Sequence, residues 1–264
     1  MDLGRFALPV LLAAPLVAAA QSYQPYEGQP GKDVVWVPTT RPLVEKMLDL
    51  AAVTAKDYVI DLGSGDGRMV IAAAKRGARA LGVEYEPEMV ALARKSAEEA
   101  GVADRATFVQ GDMFEADISK ATVLPLFLLP ANLNRLVPKF LELPAGTRIV
   151  TNTYRIDDWV EEKQMALPDC VTWCSAYLYL VPAKLAGAWK LSAGELRLMQ
   201  QYQSLEGTLV TPDGREIKVE GKVNADHVRF TGGLDVYTGR VRGQQMFGEV
   251  SGASGGHWTA TRIR

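Results

Sequence analysis

The sequence predicts an α/β domain, with helices on both faces of its sheet, followed by a small antiparallel β-meander or barrel. From Val34 to about Pro182, short apolar runs alternate with helical stretches, which is typical of strands connected by helices in a parallel sheet. Near Leu185 the long helical patterns end, glycine becomes frequent and short alternating segments begin. We therefore divide the chain into an α/β domain at 34–184 and a β-domain at 185–264.

The residues before the α/β domain show two patterns. A short apolar run from Phe6 to Ala20 follows Arg5 and ends in small residues, which predicts a signal peptide at 1–20 and an exported, periplasmic protein. An uncleaved apolar arm or a membrane anchor is the alternative, with a cytoplasmic or membrane-associated protein. The run is too short to predict a permanent membrane span. The polar segment 21–33 contains Pro and Gly, so we expect a flexible linker.

Within the α/β domain the elements follow one another along the chain. Five strands are predicted, at Asp57–Leu62, Ala80–Tyr85, Ala106–Gln110, Val123–Leu129 and Arg148–Thr153. Three helices are predicted, at Gly67–Arg76, Pro87–Ala100 and Leu133–Leu143. Pro87 suits a helix start, whereas Pro138 is expected to bend or shorten its helix.

The β-domain is predicted from short alternating segments and one clear turn. The segments lie at 196–198, 217–219, 228–230 and 237–241. The turn Thr211-Pro-Asp-Gly214 has the composition of a hairpin connection. Five aromatic residues alternate with polar ones and are expected to fill the core, the alternative being an aromatic-lined pocket or interaction face: Trp189, Tyr202, Phe230, Tyr237 and Trp258.

Composition argues against several functions. The formal net charge is -2, and Lys and Arg are spread along the chain, so no nucleic-acid partner is predicted. No metal site is predicted, because the two cysteines are far in sequence from His227 and His257. Cys170 and Cys174 lie in a segment with strand character, where four residues span roughly 13 Å. That distance is too long for a disulfide, so two buried thiols are expected unless a turn intervenes.

The segment VIDLGSGDGRMV predicts a ligand loop between the first strand and the first helix of the α/β domain. Glycines at Gly63, Gly65 and Gly67 allow a sharp turn and close approach of a ligand to the backbone. The spacing differs from the dinucleotide pattern, and no Lys-Ser or Lys-Thr pair follows as in a phosphate-binding P-loop. Asp61 and Asp66 would repel a phosphate, so a ligand with a cationic part and no phosphate is favoured.

With this loop and two later acidic residues, the sequence resembles class I S-adenosylmethionine-dependent methyltransferases. Glu84 matches the acid that ends their second strand and binds the ribose hydroxyls, and Asp112 matches the residue that contacts the adenine amine. The resemblance implies a Rossmann-like sheet and S-adenosyl-L-methionine as cofactor. It implies the following cofactor-binding residues: Asp61, Gly63, Ser64, Gly65, Gly67, Glu84, Tyr85, Asp112 and Met113.

Segments outside these motifs are similar to those of a narrower group, the lysine methyltransferases of the mitochondrial ATP synthase c-subunit and adenine nucleotide carrier. The similarity covers about Trp36 to Pro182 and does not extend into the β-domain. The group's V-P-T-P segment is Val37-Pro-Thr-Thr40 here, so its second proline is missing. The methyl acceptor is therefore left open between a protein lysine and a small molecule.

The acceptor is expected to enter between the segment before the first strand and the loop after the fourth. No catalytic residue is predicted, since a neutral amine needs alignment and a proton acceptor such as water. Arg68 is expected to begin a helix rather than to bind ligand, and Asp158-Trp159 either braces the pocket or caps a turn. The candidate residues lining the acceptor site are Trp36, Pro38, Thr39, Pro130, Asn132 and Tyr154.

Two other functions remain open from the sequence. One is a non-catalytic cofactor-binding module, in which the β-domain acts as an envelope binding protein. The other is an NAD-dependent oxidoreductase, which the loop spacing disfavours. An exported methyltransferase also raises the question of supply, because S-adenosylmethionine is made in the cytosol.

Overall fold

The computed structural model describes residues 23–263. The predicted signal peptide lies outside these residues, as do the first two residues of the predicted linker. The α/β domain contains four helices: α1 (Arg41–Leu50), α2 (Arg68–Lys75), α3 (Pro87–Glu99) and α4 (Pro130–Phe140). Its seven strands are β1 (Tyr58–Leu62), β2 (Arg79–Glu84), β3 (Ala106–Gln110), β4 (Val123–Leu126), β5 (Arg148–Asn152), β6 (Lys163–Ala166) and β7 (Ser175–Leu180).

The seven strands form one sheet in the order β3-β2-β1-β4-β5-β7-β6. The strands from β3 to β5 are parallel, as predicted. The sheet is mixed, because at the other edge β7 runs antiparallel to both β5 and β6, a hairpin that the sequence did not predict. The β6–β7 hairpin needs no crossover helix, and it brings the start of β7 to the same edge as the carboxyl ends of the parallel strands.

Two apolar clusters cover the two faces of the sheet. One contains buried residues of α1, α2 and α3, including Leu43, Val70 and Ala93. The other contains buried residues of α4, including Leu133 and Phe140. Helices on both faces explain why β1 and β4 are almost wholly apolar and buried. Pro138 lies inside α4 without ending it, because the helix runs two residues further.

The prediction that Cys170 and Cys174 are buried thiols is wrong. They form a disulfide with a Cα–Cα distance of 5.7 Å. The segment around them is a turn, with positive φ angles at Asp169 and Trp173, and β7 begins only at Ser175. The strand thus begins only after the cysteines, and the turn brings them closer together than an extended chain could.

The β-domain is a closed barrel of eight antiparallel strands. The predicted turn at 211–214 connects β10 to β11, with the Gly214 amide donating to the Thr211 carbonyl. The strands are β8 (Gly187–Leu191), β9 (Gly194–Gln201), β10 (Ser204–Val210), β11 (Glu216–Asn224), β12 (His227–Gly232), β13 (Asp235–Arg242), β14 (Gln245–Ser251) and β15 (Gly256–Arg262).

Side chains fill the interior of this barrel. Four of the five predicted core aromatics belong to its apolar cluster, namely Trp189, Phe230, Tyr237 and Trp258. The Trp189 indole donates to the Leu185 carbonyl at 2.8 Å, which satisfies its one polar group inside the core. The core-filling interpretation is therefore confirmed for these four residues.

Tyr202, the fifth aromatic, joins the barrel to the α/β domain. Its ring stacks on that of Trp159, with centroids 5.0 Å apart and planes 10° apart. The neighbouring Gln203 donates to the Val160 carbonyl at 2.8 Å. Trp159 thus holds the barrel rather than lining a pocket, while Asp158 is exposed with a positive φ. Within 23–263, no helix is long and apolar enough to span a membrane.

Candidate methyltransferase site

A cavity of about 240 Å³ lies at the carboxyl edge of the parallel strands. Gly63, Glu84 and Asp112 line one half of it, and they follow or end β1, β2 and β3. Phe127 and Tyr154 line the other half and follow β4 and β5. Because β1 lies between β2 and β4 in the sheet, the order of the strands divides the cavity into these two halves.

The glycine loop has the conformation that its sequence requires. Gly63, Gly65 and Gly67 all have positive φ angles, which residues with a Cβ adopt at a cost. Gly67 is the N-cap of α2, which begins at Arg68 as predicted. A Cβ on Gly65 would lie 2.5 Å from the Trp36 indole nitrogen, so the segment before β1 packs directly on the loop.

Glu84 fixes the shape of the loop from the end of β2. One carboxylate oxygen accepts the Gly65 amide at 2.8 Å. The other accepts the amides of Tyr85 and Glu86 at 2.7 and 3.0 Å. The carboxylate oxygens still have room to accept hydroxyl groups, because each can take more than one donor.

Carboxyl groups are concentrated beneath the loop. Burial, together with the charges of Glu84 and Asp66, raises the pKa of Asp61 to about 8. Asp66 forms an ion pair with Arg68 at 2.6 Å, which offsets part of its charge. A ligand with an ammonium or sulfonium group would relieve the repulsion between Asp61 and Glu84, and a phosphate would increase it.

Asp112 interacts with the segment before the α/β domain. It forms an ion pair with Lys32, which also lies 4.9 Å from the centre of the Tyr85 ring. This contact lowers the pKa of the Asp112 carboxyl. Residues 29–33 line the cavity, so this part of the predicted flexible linker packs against the site, although it forms no helix or strand.

Seven predicted site residues line the cavity: Trp36, Gly63, Glu84, Tyr85, Asp112, Met113 and Tyr154. Ser64, Gly65 and Gly67 shape the loop, and Asp61 is buried beneath it. The Ser64 hydroxyl is buried without a hydrogen-bond partner and lies against Gly82. The assignment of these residues to cofactor or acceptor stays a prediction.

Four predicted acceptor residues do not line the cavity. Thr39 is buried; its carbonyl accepts a hydrogen bond from Arg68 and its hydroxyl one from Asn152. Pro130 is the first residue of α4, and Asn132 lies within the first turn of that helix rather than capping it. Pro38 is adjacent to Thr39, outside the residues that line the cavity.

Phe127 and Trp173 are the aromatic residues of the cavity lining that the sequence did not predict. Phe127 belongs to the apolar run after β4, and its ring lies 6.4 Å from that of Tyr154. Trp173 lies in the disulfide-closed turn, and its ring is 6.1 Å from that of Phe127. In the sequence, Phe127 lies near the end of a strand and Trp173 lies beside a cysteine. Neither position indicates that the two residues share a site.

Comparison with known proteins places this arrangement in a family. Residues 61–163 match the ANTKMT methyltransferase domain. The protein-lysine N-methyltransferase of Saccharolobus islandicus is 40% identical over 152 residues, covering 94% of that protein and 56% of this chain. The chain belongs to this family of S-adenosylmethionine-dependent methyltransferases.

Other relatives match the same part of the chain. The ATP synthase c-subunit lysine N-methyltransferase of Xenopus laevis is 32% identical over 128 residues, 48% of this chain and 56% of that protein. The chain thus spans about half the length of this vertebrate relative. The crystal structure of an RNA methyltransferase from Salinibacter ruber, in complex with S-adenosyl-L-homocysteine, is 44% identical with a TM-score of 0.53, covering 56% of this chain and 96% of that one.

The residues present fit S-adenosylmethionine, the cofactor of this family. The glycine loop lets a ligand approach the backbone, and the acidic residues beneath it suit a cationic ligand. Glu84 and Asp112 both line the cavity with carboxylates, which can accept hydrogen bonds from hydroxyl or amino groups of a ligand. The methyltransferase-type sheet and the closed barrel are both as the sequence predicted.

Proposed function

We propose that this enzyme methylates lysine side chains of a protein. The observation that carries the proposal is the similarity to the Saccharolobus islandicus protein-lysine N-methyltransferase, which extends over 94% of that relative. Nearly the whole of that relative therefore has a counterpart in this chain. The 152 matched residues are similar in number to the α/β domain, and the family model lies within that domain, at residues 61–163.

The cavity supports an alignment mechanism. S-adenosylmethionine supplies an electrophilic methyl group on a sulfonium. The acidic loop half of the cavity binds and orients the cofactor, and the aromatic half excludes water from the entering amine. The cofactor would supply its methyl group to the nitrogen of a neutral amine, and its sulfur would leave as a neutral thioether. The neutral amine would form when a lysine ammonium gives a proton to water in the cavity, so no histidine base is required.

The test is methyl transfer to cell fractions. Purified protein is incubated with methyl-labelled cofactor and separate protein, RNA and small-molecule fractions, and labelled protein is hydrolysed for amino-acid analysis. We expect label in methylated lysine. The variant Glu84→Ala, which removes the loop anchor and ribose acceptor, should abolish labelling.

The distribution of label separates the alternatives. Label only in small molecules would support the small-molecule acceptor that the sequence left open. Label only in RNA would contradict the expected absence of a nucleic-acid partner; the similarity to an RNA methyltransferase from Salinibacter ruber makes this fraction worth including. Cofactor binding without any transfer would support the non-catalytic binding module.

We propose further that the protein is exported to the periplasm. The predicted signal peptide and the Cys170–Cys174 disulfide support this, since disulfides persist mainly in oxidising compartments. Cell fractionation followed by N-terminal sequencing tests the proposal. A mature protein that begins near Gln21 in the periplasm is expected, and one that begins at Met1 in the cytosol would overturn it.

A further inference from the structure

Three aromatic rings form a continuous wall in the half of the cavity away from the acidic loop. We define the aromatic wall as Phe127, Tyr154 and Trp173, all of which line the cavity. Phe127 lies between the other two, 6.4 Å from the Tyr154 centroid and 6.1 Å from that of Trp173. The first pair is stacked and the second meets edge to face, which are the favourable arrangements for aromatic pairs.

The topology of the sheet brings these rings together from distant parts of the chain. Phe127 follows β4, and Tyr154 follows β5. Trp173 precedes β7, which pairs antiparallel with β5 so that Ala176 lies opposite Asn152. The turn before β7, which carries Trp173, therefore lies beside the segment after β5, which carries Tyr154. The wall adjoins the cofactor half because β4 is next to β1.

The Cys170–Cys174 disulfide fixes the turn that carries Trp173. It closes the base of the β6–β7 hairpin together with the hydrogen bond from the Leu167 amide to the Cys174 carbonyl at 2.9 Å. Within this turn Val171 is 94% exposed, whereas Trp173 is half-buried against the cavity. The disulfide thus restrains a short exposed turn, and the Trp173 ring of that turn packs against Phe127 in the wall.

The wall differs from the two other aromatic rings that line the cavity, Trp36 and Tyr85, in its cation contacts. Lys32 lies over the Tyr85 ring and Arg68 over the Trp36 ring, both at the same cavity. Across residues 23–263, no Lys or Arg side chain lies over any of the three rings of the wall. Their negative faces are thus available to a cation that enters the cavity, and alkylammonium groups are the ligands that such faces bind.

We propose that the aromatic wall is the acceptor-binding site and that it recognises an alkylammonium group and the apolar chain that carries it. Trp173 is a specificity-determining residue, and the disulfide is the element that positions it. This rests on the proposed function, because a lysine side chain reaches the wall as an alkylammonium group and becomes the methyl acceptor once it has lost a proton to water. The wall would equally accept the product, since methylation keeps the positive charge and increases the apolar surface that meets the rings.

The probe is tetramethylammonium, with the uncharged tert-butanol as a control of comparable bulk. The full-length protein is saturated with S-adenosylhomocysteine, and calorimetric titration measures the affinity for the probe in every variant. In the unaltered protein the indole N–H signals in ¹H–¹⁵N spectra locate the bound probe, and Trp173→Phe identifies the Trp173 signal. We expect tetramethylammonium, and not tert-butanol, to shift that signal. Removing the ring in Trp173→Ala should weaken binding about 5-fold or more, as expected for a cation–π contact.

Matched variants separate positioning from folding. Trp173→Phe keeps an aromatic face and should retain most of the binding. Val171→Ala changes the exposed side of the same turn and should leave tetramethylammonium affinity unchanged. The double variant Cys170→Ser with Cys174→Ser should weaken binding of the probe as Trp173→Ala does. All four should bind S-adenosylhomocysteine as the unaltered protein does, which shows that the cofactor half is intact.

The proposal is overturned if tert-butanol binds as well as tetramethylammonium, or if Trp173→Ala leaves the affinity for the probe unchanged. It is overturned in the same way if Val171→Ala weakens binding as much as Trp173→Ala. These results do not depend on methyl transfer. A wall that binds the probe in a protein that labels no lysine would instead count against the proposed function alone.

Discussion

Glycine has opposite roles in the α/β domain and in the barrel. In the α/β domain, Gly63 follows β1 with a positive φ and lines the cavity, and only the Leu128 side chain, at 3.6 Å, lies near its Cβ position. In the barrel, a Cβ on Gly207 would lie 1.9 Å from the Arg197 carbonyl oxygen on the neighbouring strand. Glycine at the end of β1 therefore leaves room beside the backbone, whereas glycine in the barrel lets another strand come close.

The two interiors differ accordingly. The parallel strands of the α/β domain end at one edge, where loops alone decide what lies between them. The barrel has no such edge, and Trp189, Phe230 and Tyr237 fill its centre. We therefore expect the barrel to contribute to function through its outer surface or through its contact with the α/β domain at Tyr202.

The largest change in stability is expected for a variant of the barrel core, which tests whether that core is needed for cofactor binding. Trp189→Ala removes a fully buried ring and its hydrogen bond to Leu185, which should lower the free energy of unfolding by about 3–5 kcal/mol. Chemical denaturation measures this, and calorimetric titration should find S-adenosylhomocysteine affinity unchanged under native conditions. Lys190→Ala, at the exposed neighbouring position, is the control. Loss of cofactor binding with barrel stability would show that the two regions act as one unit.

A second variant tests the open glycine loop. Gly65→Ala places a Cβ 2.5 Å from the Trp36 indole nitrogen at a positive φ, so the loop and Trp36 must shift. We expect S-adenosylhomocysteine to bind about 100-fold more weakly, equivalent to about 2.7 kcal/mol. Gly101→Ala is matched, since Gly101 also has a positive φ but no atom near its Cβ position. Gly101→Ala should affect stability alone. Equal affinities of Gly65→Ala and Gly101→Ala for S-adenosylhomocysteine would refute the prediction.

A third prediction concerns the charge beneath the loop. Because burial, Glu84 and Asp66 raise the pKa of Asp61 from 3.8 to about 8, the folded protein holds a proton there that the unfolded chain has lost. The contribution of Asp61 to the free energy of unfolding should therefore fall as pH rises from about 4 to about 8, and it should stay constant at higher pH. A cationic ligand favours the ionised carboxyl, so its affinity should rise over the same window, by at most about tenfold per pH unit.

The measurement compares the unaltered protein with Asp61→Asn. Denaturation between pH 5 and pH 8 should show a falling stability that the variant lacks. Titration with S-adenosylhomocysteine in two buffers of different ionisation enthalpy should show proton release that the variant also lacks. A pH profile shared by both proteins would assign the effect to another group.

The smallest effect is expected at the contact between the two regions. Tyr202→Ala removes a ring stacked 5.0 Å from Trp159 and should lower the free energy of unfolding by about 1 kcal/mol beyond the loss of buried area. Tyr202→Phe keeps the stack and is the control. Differential scanning calorimetry is the measurement, because a weakened contact should separate the transitions of the α/β domain and the barrel. A single unchanged transition would show that this stack contributes little.

Much of the fold was predictable because local pattern and burial agree. The strands β1 to β5 are apolar runs between helices, and α2 and α3 begin at Arg68 and Pro87 as their start signals indicate. The position of Glu84 and Asp112 at the cavity was predictable because one ends β2 and the other follows β3, at the same edge of the sheet. The antiparallel hairpin of β6 and β7 was missed, since β6 is short and mostly exposed and has no apolar period.

The site was predictable on one half only. The glycine loop and its acids are contiguous or regularly spaced in sequence, so the sequence alone determined a cationic, phosphate-free ligand and the sheet that holds it. The aromatic wall joins residues that are 27 and 19 positions apart and carry no shared motif. The tertiary structure decided that wall, along with the disulfide that local strand character argued against. The physical reason is that strand order and an antiparallel return, which depend on packing between distant segments, determine which loops meet at an edge.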